Sequence, residues 1–289
     1  MNFSEYTLVS FGDSFTFGQD TVPATTDTGS DKDVRPAQKQ YKIDCNNLSY
    51  TRWLSDSLGF KDSLNFGTLA ASNERSLMHL ETFLRNNPKK KVFVLFNFTN
   101  ASRFLNIFQK TDEREYTTID VYPNIDPEDK YRGITKKSIK TQYTYWRNSV
   151  QDVYNHIRDR RNLYYLLSSY DVPHVSFDII NNTDGRMLRD NPIKYIDTQE
   201  GAFNQYMHND EDYIFKEMDF FNSYYQELVN NSPLLCHMTY KNIDGQQNLR
   251  HYLNANHHKY ETENGHWSPE GHIVVAKLLE KFINDKYYD

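Results

Sequence analysis

Two cysteines, Cys45 and Cys236, are all that the 289-residue sequence contains. They permit one disulfide and no disulfide framework; a pair of free thiols is expected, which leans toward a reducing compartment. No stretch approaches the roughly 18 consecutive apolar residues of a membrane span, so no membrane segment is expected. The opening Met1-Asn2-Phe3-Ser4-Glu5 has neither a basic region nor an apolar run, and no signal peptide is expected. A strong charge of one sign is missing too: 33 basic and 39 acidic residues leave a net charge of −6. Nucleic-acid binding needs Lys and Arg clustered against phosphates, so this balance argues against it. The basic run Lys89-Lys90-Lys91 directly precedes an apolar segment and reads as a solvated turn. The histidines show no recognisable ligand spacing, so neither a metal nor a cofactor is implied. No internal repeat is visible.

The hydrophobic fraction of 38% is low for an enzyme, but 22 Tyr and 18 Phe supply large apolar area per residue. Such a chain suits one α/β domain with surface insertions. Tyr6 to Phe11 reads as a short buried strand ended by Gly12. Ser63 to Phe66 and Val172 to Ile180 read as further strands. Lys91 to Phe98 is the strongest, a nearly continuous apolar run as in a parallel sheet buried on both faces. Between them, Leu48 to Leu58, Ser72 to Leu84 and Thr141 to Ser169 read as helices, with Leu48, Trp53, Leu54 and Leu58 sharing one face. Ser268 to Tyr287 carries good start signals: Ser268 as N-cap, Pro269 in the first helical position and Glu270 in the first turn. Polar stretches at about 20–47, 106–140 and 181–261 read as insertions, the last with a helix near 211–230. Strands alternating with helices indicate an α/β fold with a mostly parallel sheet, in which ligands bind beyond the carboxyl ends of the strands.

Polar residues collect at those ends. The first strand runs into Gly12-Asp13-Ser14, the second into Asn65-Phe66-Gly67-Thr68-Leu69-Ala70-Ala71-Ser72-Asn73, and the third into Thr99-Asn100-Ala101-Ser102-Arg103. The last helix is preceded by Glu263-Asn264-Gly265-His266-Trp267-Ser268. A serine hydroxyl is a weak nucleophile, and an imidazole hydrogen-bonded to it can take its proton and return it to the leaving group. Ser14 and His266 are the candidate pair. Asp13 is expected to hold its loop by accepting backbone N–H groups. His272, in the first turn of the final helix, is expected to pack or bond locally, and His257 and His258 read as surface residues.

Together these segments resemble the SGNH/GDSL hydrolase superfamily, through FGDS, N-x(6)-SN, TNASR and HWSPEGH. The resemblance covers about half the chain and leaves the insertions unexplained. It implies a three-layer α/β/α sandwich with a flavodoxin-like sheet, spanning residues 1–289 as one domain. It also implies cleavage or transfer of acyl groups, with Ser14 as nucleophile and His266 as base. Family members commonly carry Asp three positions before the histidine, and some two; here Glu263 and Asn264 stand there. Glu263 is the expected acid, with Asn264 or a backbone carbonyl as alternatives. The implied oxyanion hole comprises the Ser14 N–H, the Ala70 N–H and the Asn100 side chain, with Thr99 the alternative in the third block. Asn97 would lie nearer the strand. Asn73, Arg103 and Trp267 are the expected substrate-binding residues, although Asn73 and Arg75 could equally cap the second helix.

The leading expectation is a serine esterase acting on an O-acyl group, specifically O-acetyl, of a small-molecule or polysaccharide substrate. Two alternatives stand beside it: an O-acyltransferase of the same fold, and a non-catalytic binding or structural module. The Asn, Lys, Asp and Tyr content resembles proteins of large phages, so a cytoplasmic or a virion-associated location is expected.

Overall fold

The computed structural model describes residues 1–22, 31–69, 71–99, 104–109, 116–121, 130–131, 134–135, 149–178, 236–238, 249, 253, 260, 262 and 265–287. Strand β1 (Thr7–Phe11) leads into a one-turn helix α1 (Ser14–Phe17), followed by α2 (Asp31–Leu48) and α3 (Tyr50–Leu58). Next come β2 (Asp62–Asn65), α4 (Asn73–Asn86), β3 (Val92–Phe98) and the short strands β4 (Phe104–Gln109), β5 (Tyr116–Val121), β6 (Lys130–Tyr131) and β7 (Ile134–Thr135). Helix α5 (Ser149–Ser169), β8 (His174–Asp178), β9 (His237–Met238) and α6 (Pro269–Tyr287) complete the described elements.

The main sheet has five strands in the order β2-β1-β3-β8-β9. Every pair is parallel; Val9 of β1, for example, lies between Leu64 of β2 and Val94 of β3. β1, β3 and β8 are buried along their whole lengths. Alternation along them sends side chains to two separate cores. Leu8, Phe93, Leu95, Val175 and Phe177 meet Tyr50, Leu54 and Leu58 of α3 and Val275, Leu279 and Ile283 of α6. Val9, Phe11, Val94, Phe96 and Phe98 face the other way, onto Leu77, Leu80 and Leu84 of α4 and Leu163 and Leu167 of α5. Helices on both faces of a parallel sheet make the expected three-layer α/β/α sandwich.

Several local expectations need correction. The polar stretch 20–47, read as a loop, is helical from Asp31 onward. Its straight-chain Lys, Arg and Gln residues favour helix, and Val34, Ala37, Tyr41, Cys45 and Leu48 recur at helical spacing, a period outweighed in the loop reading by the many polar residues around it. The insertion at 106–140 contains the antiparallel hairpin β4–β5, registered from Phe104↔Val121 to Gln109↔Tyr116. The insertion at 181–261 contributes an edge strand, β9, to the main sheet; the helix expected near 211–230 lies outside the described residues. Trp53 is 39% exposed, so it does not share the buried face of Leu54 and Leu58.

The N-cap of α6 is as expected: Ser268 Oγ accepts the Gly271 N–H at 3.2 Å. The triple-lysine turn is exposed, and Lys91 pairs with Glu5 at 2.5 Å. Both cysteines are free thiols. No described helix is long and apolar enough to cross a membrane.

Candidate active site

The site begins where β1 ends. A Cβ on Gly12 would come within 2.2 Å of Thr16 Oγ1 and 2.9 Å of Asn97 Cβ, so only glycine lets the chain turn here. Asp13 then caps α1, its Oδ1 accepting the Phe15 N–H at 3.1 Å. Its other oxygen, Oδ2, accepts from Thr99 Oγ1 at 2.6 Å. The Phe15 bond is the loop-holding role expected of Asp13, and the Thr99 bond ties the ends of β1 and β3 together. Gly67 presses the loop after β2 onto α1: a Cβ there would sit 2.2 Å from the Phe17 backbone nitrogen. These contacts place Ser14, only 3% exposed, as the first residue of α1 at the carboxyl edge of the sheet.

His266 arrives from the other end of the chain on a tight turn. The Thr262 N–H donates to the His266 carbonyl at 2.7 Å, and the Gly265 N–H donates to the Thr262 carbonyl at 2.9 Å. Phe15 packs against the imidazole, ring centroids 5.2 Å apart. The result joins positions 252 residues apart: His266 Nε2 lies 3.1 Å from Ser14 Oγ. Nδ1 of the same ring lies 2.8 Å from Asp20 Oδ2. In a neutral imidazole, a carboxylate facing Nδ1 selects the tautomer with the proton on that nitrogen, and Nε2 can then accept from the serine hydroxyl. The imidazole and carboxylate side chains are 18% and 15% exposed, so their interaction is only partly screened by water.

Asp20 was not among the sequence candidates. Glu263 and Asn264 lie outside the described residues, and the described carboxylate on His266 is Asp20. Asp20 has a φ of 65°, a left-handed conformation that aspartate tolerates better than most residues. Nothing local marks it: it follows Gly18-Gln19 at the start of a polar stretch. Its role is set by where α1 ends relative to a turn 246 residues away.

The other expected site residues divide into three groups. Ala70, Asn100 and Arg103 lie outside the described residues, as do His257 and His258. Among the described residues nothing accepts the Ser14 N–H, so it stands available at the head of α1. Thr99, the alternative oxyanion donor, gives its hydroxyl proton to Asp13. Asn97 is fully buried and donates to Thr16 Oγ1 at 2.9 Å, as its place nearer the strand suggested.

Two expectations about substrate contact are corrected. Trp267 is fully buried, packed between Phe15 at 4.8 Å and His272 at 5.5 Å, and belongs to the core. Its apolar area holds the end of the His266 turn onto the sandwich. Asn73 is 2% exposed; its Oδ1 accepts the Thr99 N–H at 2.8 Å, bracing the loop after β3. The cap of α4 is Ser72, whose side chain accepts the Arg75 N–H.

His272 is buried against Tyr50, whose backbone N–H donates to His272 Nδ1 at 3.1 Å. Burial, with a smaller effect of His266, pushes its pKa down to about 3, so it stays neutral and is no rival base. Among the described residues no group of three or more His, Cys, Asp or Glu side chains could hold a metal ion.

A second polar cluster lies at the end of β8. Asp178 pairs with Arg160, which also donates to His156 Nε2 at 2.9 Å. Both cationic-capable side chains sit on Phe98, Arg160 at 5.5 Å and His156 at 5.1 Å, and so buttress the end of β3, which Thr99 follows.

No protein-family model and no curated protein matches the sequence. Among solved structures, the fold is similar to a member of the lipolytic protein G-D-S-L family from Veillonella parvula, at 9% identity and a TM-score of 0.40, covering 98% of each chain. It is also similar to a lipase/acylhydrolase from Enterococcus faecalis, at 13% identity and a TM-score of 0.40, covering 97% of this chain and 96% of that one. A third is an acetyl xylan esterase variant from Geobacillus stearothermophilus, at 12% identity and a TM-score of 0.43, covering 97% and 95%. The resemblance to the SGNH/GDSL class rests on the motifs FGDS, N-x(6)-SN, TNASR and HWSPEGH. The chain's chemistry is read from Ser14, His266 and Asp20 alone.

Proposed function

We propose that the protein is a serine hydrolase that cleaves O-acyl esters through a covalent acyl-enzyme, with Ser14 as nucleophile, His266 as general base and Asp20 as the orienting acid. The observation that carries this reading is the unbroken line from Ser14 Oγ to His266 Nε2, 3.1 Å, and from His266 Nδ1 to Asp20 Oδ2, 2.8 Å. As Ser14 Oγ attacks the ester carbonyl, Nε2 takes its proton and the imidazolium forms against the Asp20 carboxylate. The carbonyl oxygen becomes an oxyanion, with the Ser14 N–H as one donor and the Ala70 N–H and Asn100 side chain as further proposed donors. Collapse expels the alcohol, which takes the proton from Nε2. Water, deprotonated by the same nitrogen, then attacks the acyl-enzyme, and collapse releases the acid as Ser14 Oγ takes that proton back from Nε2. General-base assistance of this kind is worth about 10²–10⁴-fold.

The substrate class is an O-acetyl ester on a carbohydrate. The polar strand-end loops and the 22 tyrosines favour sugar rings, and no long apolar segment beside the motifs suits a long acyl chain. The intact acid supports catalysis over a non-catalytic relic, which would need no carboxylate behind the ring. The test is p-nitrophenyl acetate hydrolysis, acetate release from acetylated xylan and fluorophosphonate labelling. Wild type is expected to turn over and to be labelled at Ser14, and Ser14→Ala to do neither. An inert, unlabelled wild type refutes the reading, as does equal turnover by Ser14→Ala. Acyl transfer to an added sugar in place of acetate release would favour the transferase.

A further inference from the structure

Asp20 approaches His266 from a non-helical connection after α1, and something must hold its left-handed backbone in place. Thr21 returns both its N–H and its hydroxyl to the Gly18 carbonyl, at 3.2 and 2.7 Å, which closes the connection on the side of α1. The other side is closed by α2. There the Tyr41 hydroxyl accepts the Asp20 N–H at 3.3 Å, and the Tyr41 ring leans on Phe17 at 6.2 Å. The Cys45 carbonyl packs so close to Gly18 that a Cβ there would meet it at 2.7 Å.

We propose that Tyr41 is a positioning residue for the acid: by accepting the Asp20 N–H, its hydroxyl holds Asp20 in the conformation that aims Oδ2 at His266 Nδ1. The inference rests on the reading of Ser14, His266 and Asp20 as one reaction centre. It also gives the polar helix α2 a task, since α2 supplies the outer wall of the acid's connection. Burial pushes the Tyr41 phenol up to about 12, and burial likewise pushes the Cys45 thiol up. Both α2 groups are therefore neutral at ordinary pH, and neither adds a negative charge that would rival Asp20 for the imidazolium. A neutral phenol can accept the amide proton and still donate its own toward Cys45.

The experiment compares Tyr41→Phe with wild type by two readouts. The first is the low-field ¹H resonance of the His266 Nδ1 proton, identified by its loss in His266→Gln. The second is kcat and KM for p-nitrophenyl acetate, measured also for Tyr41→Phe in an Asp20→Asn background. Phenylalanine keeps the ring against Phe17, and equal melting temperatures check that the fold is retained. The resonance is expected to move upfield or vanish in Tyr41→Phe. Loss of one neutral hydrogen bond to the acid's backbone should lower kcat about three- to tenfold with KM unchanged, and should add nothing in Asp20→Asn. An unmoved resonance, an absent resonance in wild type, or an equal loss of kcat in both backgrounds overturns the inference. The two readings fail separately. A wild type that is inert yet shows a Tyr41-dependent resonance sinks the esterase and keeps the positioning role. An active wild type indifferent to Tyr41→Phe does the reverse.

Discussion

Removing the carboxylate behind His266 is the most informative perturbation. Asp20→Ala deletes a charge-assisted hydrogen bond 2.8 Å long between two side chains that are each less than one-fifth exposed. Before reaction the bond holds a neutral ring in place; after proton transfer it faces an imidazolium, so its strength grows along the reaction path. Hydrogen bonds to charged groups contribute about 1.5–3 kcal/mol. At about 1.36 kcal/mol per decade, that is a fall in kcat of roughly 10- to 150-fold. Asp20→Asn should be worse, up to about 10⁴-fold, because an amide N–H facing Nδ1 selects the tautomer whose Nε2 already carries a proton. KM should stay within about twofold, since Asp20 touches the ring and not the substrate. The assay is steady-state hydrolysis of p-nitrophenyl acetate, with fluorophosphonate labelling rates as a substrate-independent check. A loss smaller than about threefold in both variants, with the fold intact, would refute the assignment. A large loss in Glu263→Gln alongside it would move the acid to Glu263.

Two other predictions concern residues behind the site. Trp267→Ala should destabilise the protein by about 3–5 kcal/mol, as expected for a large buried aromatic, while Trp267→Phe leaves KM unchanged; a raised KM at constant melting temperature would instead put the indole against substrate. His272 titrates near 6.5 when unfolded and is pushed down to about 3 by burial, so between those values the unfolded chain binds the extra proton. Its contribution to stability is therefore complete above about pH 6.5 and is lost as pH falls toward about 3, at up to roughly 1.4 kcal/mol per pH unit. His156 and His174 are shifted in the same direction by burial. Denaturant midpoints at pH 7 and pH 5 should fall less steeply in His272→Asn than in wild type, and identical slopes would refute the attribution.

The strands were legible because apolar alternation encodes burial directly. β3 reads as doubly buried from its own residues, and the structure places Phe93 and Leu95 on one face, with Val94 and Phe96 on the other. The Ser268 cap of α6 and the loop-holding role of Asp13 were legible for a similar reason: capping is chemistry between near neighbours. Helix α2 was not, because its apolar period of Val34, Ala37, Tyr41, Cys45 and Leu48 is narrow and set among polar residues that read as a loop.

By itself the sequence determined an α/β sandwich, a serine after the first strand and a histidine before the last helix, because those signals are local. It did not determine the acid. Asp20 is one of 39 acidic residues and carries no mark that sets it apart. It becomes His266's partner because parallel strand order brings the carboxyl ends of distant segments to one edge, where proximity in space, and not separation along the chain, selects the partner. Burial made the same kind of choice at Trp267: beside the candidate histidine it reads as a substrate contact, and only the packing of Phe15, Tyr50 and His272 around it shows that the indole is core.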